Sequence, residues 1–274
     1  CAVWENVMTP ESALAPDRLL AGLSDPSAYP QPPERVDVLH THASMLFFAG
    51  PRVYKVKKSV DLGFLDFSTL AKRRHACEEE LRLNARLAGD TYLGIVPISR
   101  RADGGLAVGG AGEAIEWAVE MKRLPAHRML DRLLEEGEID SARIREIADL
   151  LVAFHRDADA GEALARHGSP DAVRTLLLGN LAELQSFAGE GIDAVATPSL
   201  LAYLAEWAEG FLASHDELLR GRAAGGFVRD GHGDLHAGNI CCTQAGLVIY
   251  DCLEFSAAYR CGDVAADLAF LCMD

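Results

Sequence analysis

Four polar side chains within residues 227–255, FVRDGHGDLHAGNICCTQAGLVIYDCLEF, stand at spacings that chemistry needs: His232, Asp234, Asn239 and Asp251. Asp234 and Asn239 lie five positions apart in HGDLHAGN, between the apolar pair Phe227 and Val228 and the strand-like run Asn239, Ile240, Cys241 and Cys242. The segment therefore reads as strand, tight Gly-rich loop, strand. A second apolar run, Leu247, Val248, Ile249 and Tyr250, follows a turn-like TQAG and delivers Asp251 at its end. Paired as a hairpin, the two runs set Asn239 beside Asp251, an amide oxygen and a carboxylate that suit one hard cation.

HxDxxxxN followed by a strand ending in Asp matches a phosphotransfer arrangement. A loop Asp orients the attacking hydroxyl and accepts its proton, while an Asn and a later Asp hold magnesium against nucleotide phosphates. Magnesium takes few protein oxygens and completes its octahedron with water and phosphate, so two side chains suffice. On this reading Asp234 is the catalytic base, and Asn239 and Asp251 are the metal ligands. His232 is read as support of the loop. His236 either touches phosphate or substrate or is an ordinary exposed loop histidine.

HGDLHAGNI with IYDCLEF resembles the aminoglycoside phosphotransferase-like family, whose fold is similar to that of protein kinases. YKVKKSVDLGFLDFSTL, CEEELRLNARL and VEMKRLP extend the likeness upstream. They resemble the branch in which such a domain forms the first half of a two-part protein with a nucleotide-binding P-loop domain behind it. The segments together cover most of residues 36–274. The resemblance implies an α+β, bilobal protein-kinase-like fold, with a small antiparallel β-sheet lobe and a larger helical lobe carrying a catalytic β-hairpin. It also implies ATP and Mg2+ as cofactors. The corresponding organisation is an N-terminal helix and Pro-rich connector over 1–35, a nucleotide-binding N-lobe over 36–125 and a helical C-lobe over 126–274. The chain starts at Cys1 and stops at Asp274 inside an amphipathic run without a C-cap signal, so a fragment truncated at its C-terminus is expected.

Residues 36–40, 44–49 and 52–57 have strand character and form an expected antiparallel meander. In the kinase-like arrangement the loop between the first two strands covers phosphates. Here that loop, Thr41 to Ser44, has no glycine, which leaves backbone amides, Ser44 or His42 to make the contacts. Lys55 and Lys57 alternate onto one strand face. Lys55, held between apolar neighbours, is preferred over Lys57 as the phosphate-contacting lysine, the plain alternative being a solvated edge; Lys58 faces away. Residues 68–88 read as a helix begun by Ser68 or Asp66. One of Glu78, Glu79 and Glu80 must pair with the strand lysine, although three consecutive glutamates are ordinarily a solvated face. Glu80 is preferred because it sits closest to the apolar stripe. Residues 95–99 and 106–108 are expected strands around the turn at 103–105. Residues 116–123, EWAVEMKR, alternate as a strand, and the resemblance makes it the edge strand and hinge, where backbone near Glu120, Met121 and Arg123 reads the adenine edge. The glycines at 104, 105, 109, 110 and 112 form no GxGxxG, and no GxxxxGK[ST] occurs in the chain.

Helical periodicity takes over at 129–136, 140–158, 170–187 and 198–221, with Asp140, Ser169 and Thr197 as caps. A short helix is expected over 10–23. His155 lies on an apolar stripe and reads as a satisfied packing histidine. In the last stretch, FSAAYRCGDVAADLAFLCMD, Asp263 and Asp267 are either helix-start charges or, by the resemblance, one of them buttresses the catalytic loop. Asp263 is preferred for that structural role.

At 274 residues and 49% hydrophobic content the chain can bury a large core. Its net charge of -15 speaks against nucleic acid, whose phosphates need clustered Lys and Arg, and suits a cytoplasmic protein or a cationic substrate. No run of eighteen apolar residues and no basic, then apolar, N-terminal pattern supports a membrane span or secretory signal. Seven cysteines without a CxxC pair suggest free thiols in a reducing compartment rather than a zinc site. The expectation is an ATP-dependent O-phosphotransferase acting on a small hydroxylated acceptor such as an aminoglycoside, aminosugar or sugar. A protein kinase fits less well, because only eleven residues separate Asp251 from Asp263, no APE follows, and the glycine of DFG is absent. Glu254 is a carboxylate behind the site or in the acceptor pocket. The alternative from another class is a non-catalytic nucleotide-binding module of a larger two-part protein.

Overall fold

A proline opens the first helix, α1 (Pro16–Ser24), and Leu19 and Leu23 bury its inner side. The computed structural model describes residues 15–189 and 196–274, so the expected helical residues 10–14 lie outside the described chain. Next come β1 (Val36–His40), β2 (Ser44–Ala49), β3 (Arg52–Lys57), α2 (Leu70–Asn84), β4 (Tyr92–Arg100), β5 (Leu106–Val108) and β6 (Ala114–Lys122). The six strands form one antiparallel sheet in the order β1-β2-β3-β6-β4-β5. β6 is thus an interior strand and not the expected edge, which corrects that reading. Alternation reveals which faces are buried but not how many neighbours a strand has, and Ile115, Glu116, Ala118, Val119 and Met121 are all buried between β3 and β4.

Period-2 alternation divides the sheet's side chains. Met45, Phe47, Tyr54, Val56 and Ala118 pack with Leu19 and Leu23 of α1 on one face. Val53, Val119 and Met121 pack with Cys77 and Tyr92 on the other, the face that Lys55 and Lys57 share by register. α2 begins later than expected. Thr69 is its cap, accepting from the Lys72 amide at 3.2 Å, while Asp66 accepts from the Ser68 amide at 3.0 Å in the turn before it.

Further along the chain are α3 (Leu130–Glu135), α4 (Ser141–Asp157), α5 (Glu162–Ala165), α6 (Pro170–Leu184), α7 (Pro198–Ser214), α8 (Asp216–Ala224) and β7 (Val228–Asp230). The caps read from sequence are in place: Asp140, Ser169 and Thr197 accept from the amides of Arg143, Ala172 and Leu200. The expected single helix over 198–221 breaks at His215, whose Nδ1 lies 2.9 Å from both Phe211 O and Ser214 Oγ. Side-chain bonds to the last turn compete there with continuation of the helix. β8 (Ile240–Thr243) and β9 (Gly246–Ile249) follow, then α9 (Ala257–Arg260), β10 (Cys261–Asp263) and α10 (Val264–Cys272). β8 and β9 pair antiparallel from Ile240 with Ile249 to Thr243 with Gly246, and β10 pairs with β7.

Two compact units result, Cys1–Ile139 with Ala237–Ser256, and Asp140–His236 with Ala257–Asp274. The α+β class expected from the resemblance is borne out, with an antiparallel sheet in the first unit and mostly helices in the second. The division differs from the expected boundary at 125, and the β8–β9 hairpin groups with the sheet instead of with the helices. Its bonds explain this: Arg128 Nε donates to Cys242 O at 3.0 Å, and the Cys252 amide donates to Asn84 Oδ1 at 2.9 Å. No helix among the described residues is long and apolar enough to cross a membrane.

Candidate active site

β3 carries Lys55 and Lys57 on one face, and α2 brings a single carboxylate, Glu80, to both. Lys55 Nζ donates to Glu80 Oε1 at 2.8 Å and Lys57 Nζ lies 2.5 Å from Oε2. Of the three consecutive glutamates, only Glu80 is fully buried; Glu78 and Glu79 pair instead with Arg74 and Arg82 on the surface. Each lysine has a second carboxylate from the segment after β9. Lys55 reaches Asp251 Oδ1 at 2.5 Å, and Lys57 pairs with Glu254. The five charges form a ladder, Asp251, Lys55, Glu80, Lys57, Glu254, with Glu80 bridging its two rungs.

Burial opposes charge at Lys55, Lys57 and Glu80 and is outweighed. It would push the Lys55 ammonium down, but Asp251 and Glu80 hold its pKa well above the ordinary value. Lys57 is likewise raised against burial by Glu254 and Glu80. Burial would raise the Glu80 carboxyl, yet Lys55 and Lys57 leave it lowered. Counted formally, the set has three acidic and two basic side chains. Asp251 is the exposed end of the ladder, its side chain 39% exposed while that of Glu254 is 7% exposed. Lys57 is 2% exposed with both partners in place, so Lys55 is the better placed of the two to meet a ligand.

The backbone of Asp251 is held in an unusual conformation. It is the only non-glycine with positive φ among the described residues, at 63°, a state Asp tolerates better than most. Its amide donates to Tyr92 Oη at 3.2 Å. Burial first, then Glu80 and Asp251, raise the Tyr92 phenol well above its usual value, so it stays neutral. The hairpin register continues from Ile240 and Ile249 to Asn239 and Tyr250, whose amide donates to Asn239 O at 3.0 Å, and Asp251 follows at the next position. An amide and a carboxylate at one end of a hairpin, next to a net negative charge, fit a small hard cation such as magnesium. Among the described residues no three His, Cys, Asp or Glu converge as a metal cage.

The remaining expected nucleotide contacts fare differently. Ser44 is 2% exposed and its amide donates to Thr41 Oγ1 at 3.0 Å. His42 belongs to the same turn, which the Thr41 amide closes on Ser44 O at 2.9 Å. Met121 is buried inside the sheet, paired with Val53 and Tyr92. The Arg123 amide already donates to Pro51 O at 2.9 Å, and its guanidinium lies 5.0 Å from the Phe48 ring centroid. The chain just beyond β6 does border a groove of about 570 Å³ walled by Val38, Leu39, Phe48, Pro51, Leu124 and Pro125.

In the second unit one carboxylate organises the HGD loop. Asp267 of α10 accepts from the amides of His232, at 2.8 Å, and Gly233, at 2.9 Å, and lies 3.0 Å from His155 Nε2. Burial alone would raise Asp267; the His155 bond and the two amides leave it lowered. His155 is thus a satisfied buried histidine, as its stripe implied. Glycine is required at 231, where a Cβ would stand 2.6 Å from Asp267 Oδ2 and 3.2 Å from Arg260 O, and Gly233 has φ of +81°. Buried His232 accepts from the Asp234 amide at Nδ1, 3.3 Å away. Asp234 itself is 43% exposed, with His236 Nε2 3.9 Å from its Oδ2.

Asp263 is therefore not the buttress of this loop. It caps α10 through the Ala265 amide and pairs with Arg222 at 2.6 Å and 2.7 Å, while Asp267, one turn on, reaches the loop. Sequence reasoning also missed Tyr92 and Asn84. Asn84, one turn after Glu80, donates from Nδ2 to Glu80 O at 2.8 Å and accepts from Cys252; a polar residue between the apolar positions of LNARL was its only signal.

The profile of the phosphotransferase enzyme family APH matches residues 51–274. Uncharacterized proteins of Mycobacterium tuberculosis and Mycobacterium bovis are each 33% identical over 239 residues, a match covering 87% of this chain and 45% of theirs. The chain thus spans about half the length of the curated relatives it matches. Among solved structures, a choline kinase from Cryptosporidium parvum gives a TM-score of 0.48 at 12% identity, covering 92% of this chain and 68% of that one. A choline/ethanolamine kinase family protein from Mesorhizobium loti gives 0.43 at 12% identity, covering 86% and 62%.

Proposed function

The chain belongs to the phosphotransferase enzyme family, and on that premise we propose that it moves the γ-phosphoryl group of ATP to a hydroxyl of a small molecule such as an aminoglycoside, aminosugar or sugar. The observation that carries this reading is the ladder of Lys55, Lys57, Glu80, Asp251 and Glu254, in which a buried glutamate aims a lysine toward the partly exposed carboxylate of Asp251.

Each residue then has a task. Lys55, kept cationic and held by Glu80, binds phosphate oxygens. Asn239 and Asp251 hold magnesium, which when bound neutralises phosphate charge. The apolar groove beside Phe48 and Leu124 suits a flat base. Asp234 orients the acceptor hydroxyl and takes its proton as the new oxygen–phosphorus bond forms and the bond to the ADP leaving oxygen breaks. His232 and Asp267 keep the loop's path, so that Asp234 needs no reorganisation. A cytoplasmic location and a further P-loop nucleotide-binding domain in the full-length protein belong to the same proposal, the second resting on the resemblance and on the greater length of the relatives.

The test is magnesium-dependent ATP consumption across aminoglycosides, aminosugars, sugars and choline-like alcohols, with Asp234→Asn alongside. Acceptor-stimulated turnover that the variant loses supports the reading. Nucleotide binding with no stimulation by any acceptor would favour a non-catalytic nucleotide-binding module instead.

A further inference from the structure

The second rung of the ladder has no place in the roles above. Lys57 is buried too deeply to meet a ligand, and Glu254, three residues past Asp251, reaches back to the same strand and the same Glu80. Resting on the functional reading just given, we propose that Lys57 and Glu254 are positioning residues: they keep the backbone of Asp251 in place while its side chain leaves Lys55 for a metal–nucleotide complex.

The argument is one of which bonds can survive loading. Without ligand, the Asp251 carboxylate is occupied by Lys55 at 2.5 Å. A cation on Asp251 and a phosphate on Lys55 each draw one partner away, and the first rung opens at that end. Glu80 retains Lys55 through Oε1. Near that residue the segment holding Asp251 would then be tied by single bonds, among them those from the amides of Asp251 and Cys252 to Tyr92 and Asn84 and from Arg86 Nη2 to Cys252 Sγ. Meanwhile its left-handed backbone, at φ of 63°, favours relaxation. The Lys57–Glu254 rung shares no atom with the groups that must move. It therefore persists in both states and holds the segment while the first rung exchanges. The bridging Glu80 couples the two rungs, since each lysine takes a separate oxygen of the same carboxylate.

The experiment measures binding of ATP to the whole chain by calorimetry, with Mn2+ as the metal and again with chelator in place of metal. It compares wild type, Glu254→Leu and Glu254→Gln, with thermal unfolding recorded for each. Glu254→Leu is expected to weaken Mn2+·ATP binding by about ten- to a hundredfold, the range seen when a group supporting a metal ligand is removed. Metal-free ATP should bind within about twofold of wild type, as expected for a site not directly altered. Glu254→Gln, which can still accept from Lys57, should lose less. Wild-type Mn2+·ATP affinity in Glu254→Leu, or an equal loss with and without metal, would overturn the proposal. Should Glu254→Leu fail to fold, Glu254→Gln decides: a selective loss of Mn2+·ATP affinity supports it, and a lowered melting temperature with unchanged affinity refutes it. Wild type that binds Mn2+·ATP but phosphorylates no acceptor would remove the catalytic reading alone, and the variants would still decide this one.

Discussion

Glu80 in the first unit and Asp267 in the second are both buried carboxylates, and they are satisfied by opposite means. Glu80 is neutralised by two ammonium groups on long, rotatable stems from β3. Asp267 is held by two backbone amides and an imidazole. Ammonium partners can be exchanged when a ligand arrives, whereas amide partners fix the path of the chain. On the proposed function, the difference suits a ladder that would rearrange around phosphates and a loop that would present Asp234 unchanged.

Breaking the first arrangement should have the largest effect. Glu80→Gln leaves two buried lysines short of a charge, and urea unfolding should show a loss of about 3 kcal/mol, the cost of removing one partner of a buried pair. Asp267→Asn keeps one acceptor oxygen but turns an amide donor on the loop's own amides; a loss of about 2 kcal/mol is expected, with urea as the measure. If both variants lose equally and only half as much, the contrast between charge and amide satisfaction fails.

Acidity sharpens the comparison. Glu80 and Asp267 both have lowered pKa values, so their contribution is complete above the unfolded carboxylate range and is lost as pH falls through their folded values. Lys55 and Lys57 are raised, so theirs is complete below the unfolded lysine value and is lost as pH rises through the folded ones. In stability measured against pH, the share from Glu80 and Asp267 should accordingly fall away below about 4.5 and that from Lys55 and Lys57 above about 10. Charge-removing substitution at Glu80 should blunt both limbs, and at Asp267 only the acid one. The smallest effect is expected at Arg222→Ala, which breaks the partly exposed pair with Asp263 and should cost about 0.5 kcal/mol by thermal unfolding. A loss as large as that of Asp267→Asn would mean that Asp263 supports more than the start of α10.

Much of this was legible because short-range pattern dictates it. Period-2 alternation located β1, β2 and β3 to the residue and placed both lysines on one face. Glu80 stood out from its neighbours because it lies nearest the apolar stripe of α2. The capping residues Asp140, Ser169 and Thr197 announced their helices through chemistry local to four residues. What was not legible depends on partners far along the chain. Asp263 and Asp267 are one helical turn apart and share a face, so pattern cannot say which one meets the loop. β6 shows its buried faces but not its two neighbours. The Lys57–Glu254 pair spans 197 positions, and a charged residue in DCLEF gave no hint that it returns to β3.

Label transfer from γ-labelled ATP tests the central claim most directly. Wild type is run with the acceptor that most stimulates ATP consumption, beside Asp234→Asn and Lys55→Met. Label in the acceptor from wild type, reduced by about a hundredfold or more in Asp234→Asn as expected when a positioned base is lost, is the predicted result. Label that appears only in inorganic phosphate, or reaches the acceptor equally well in Asp234→Asn, would contradict it.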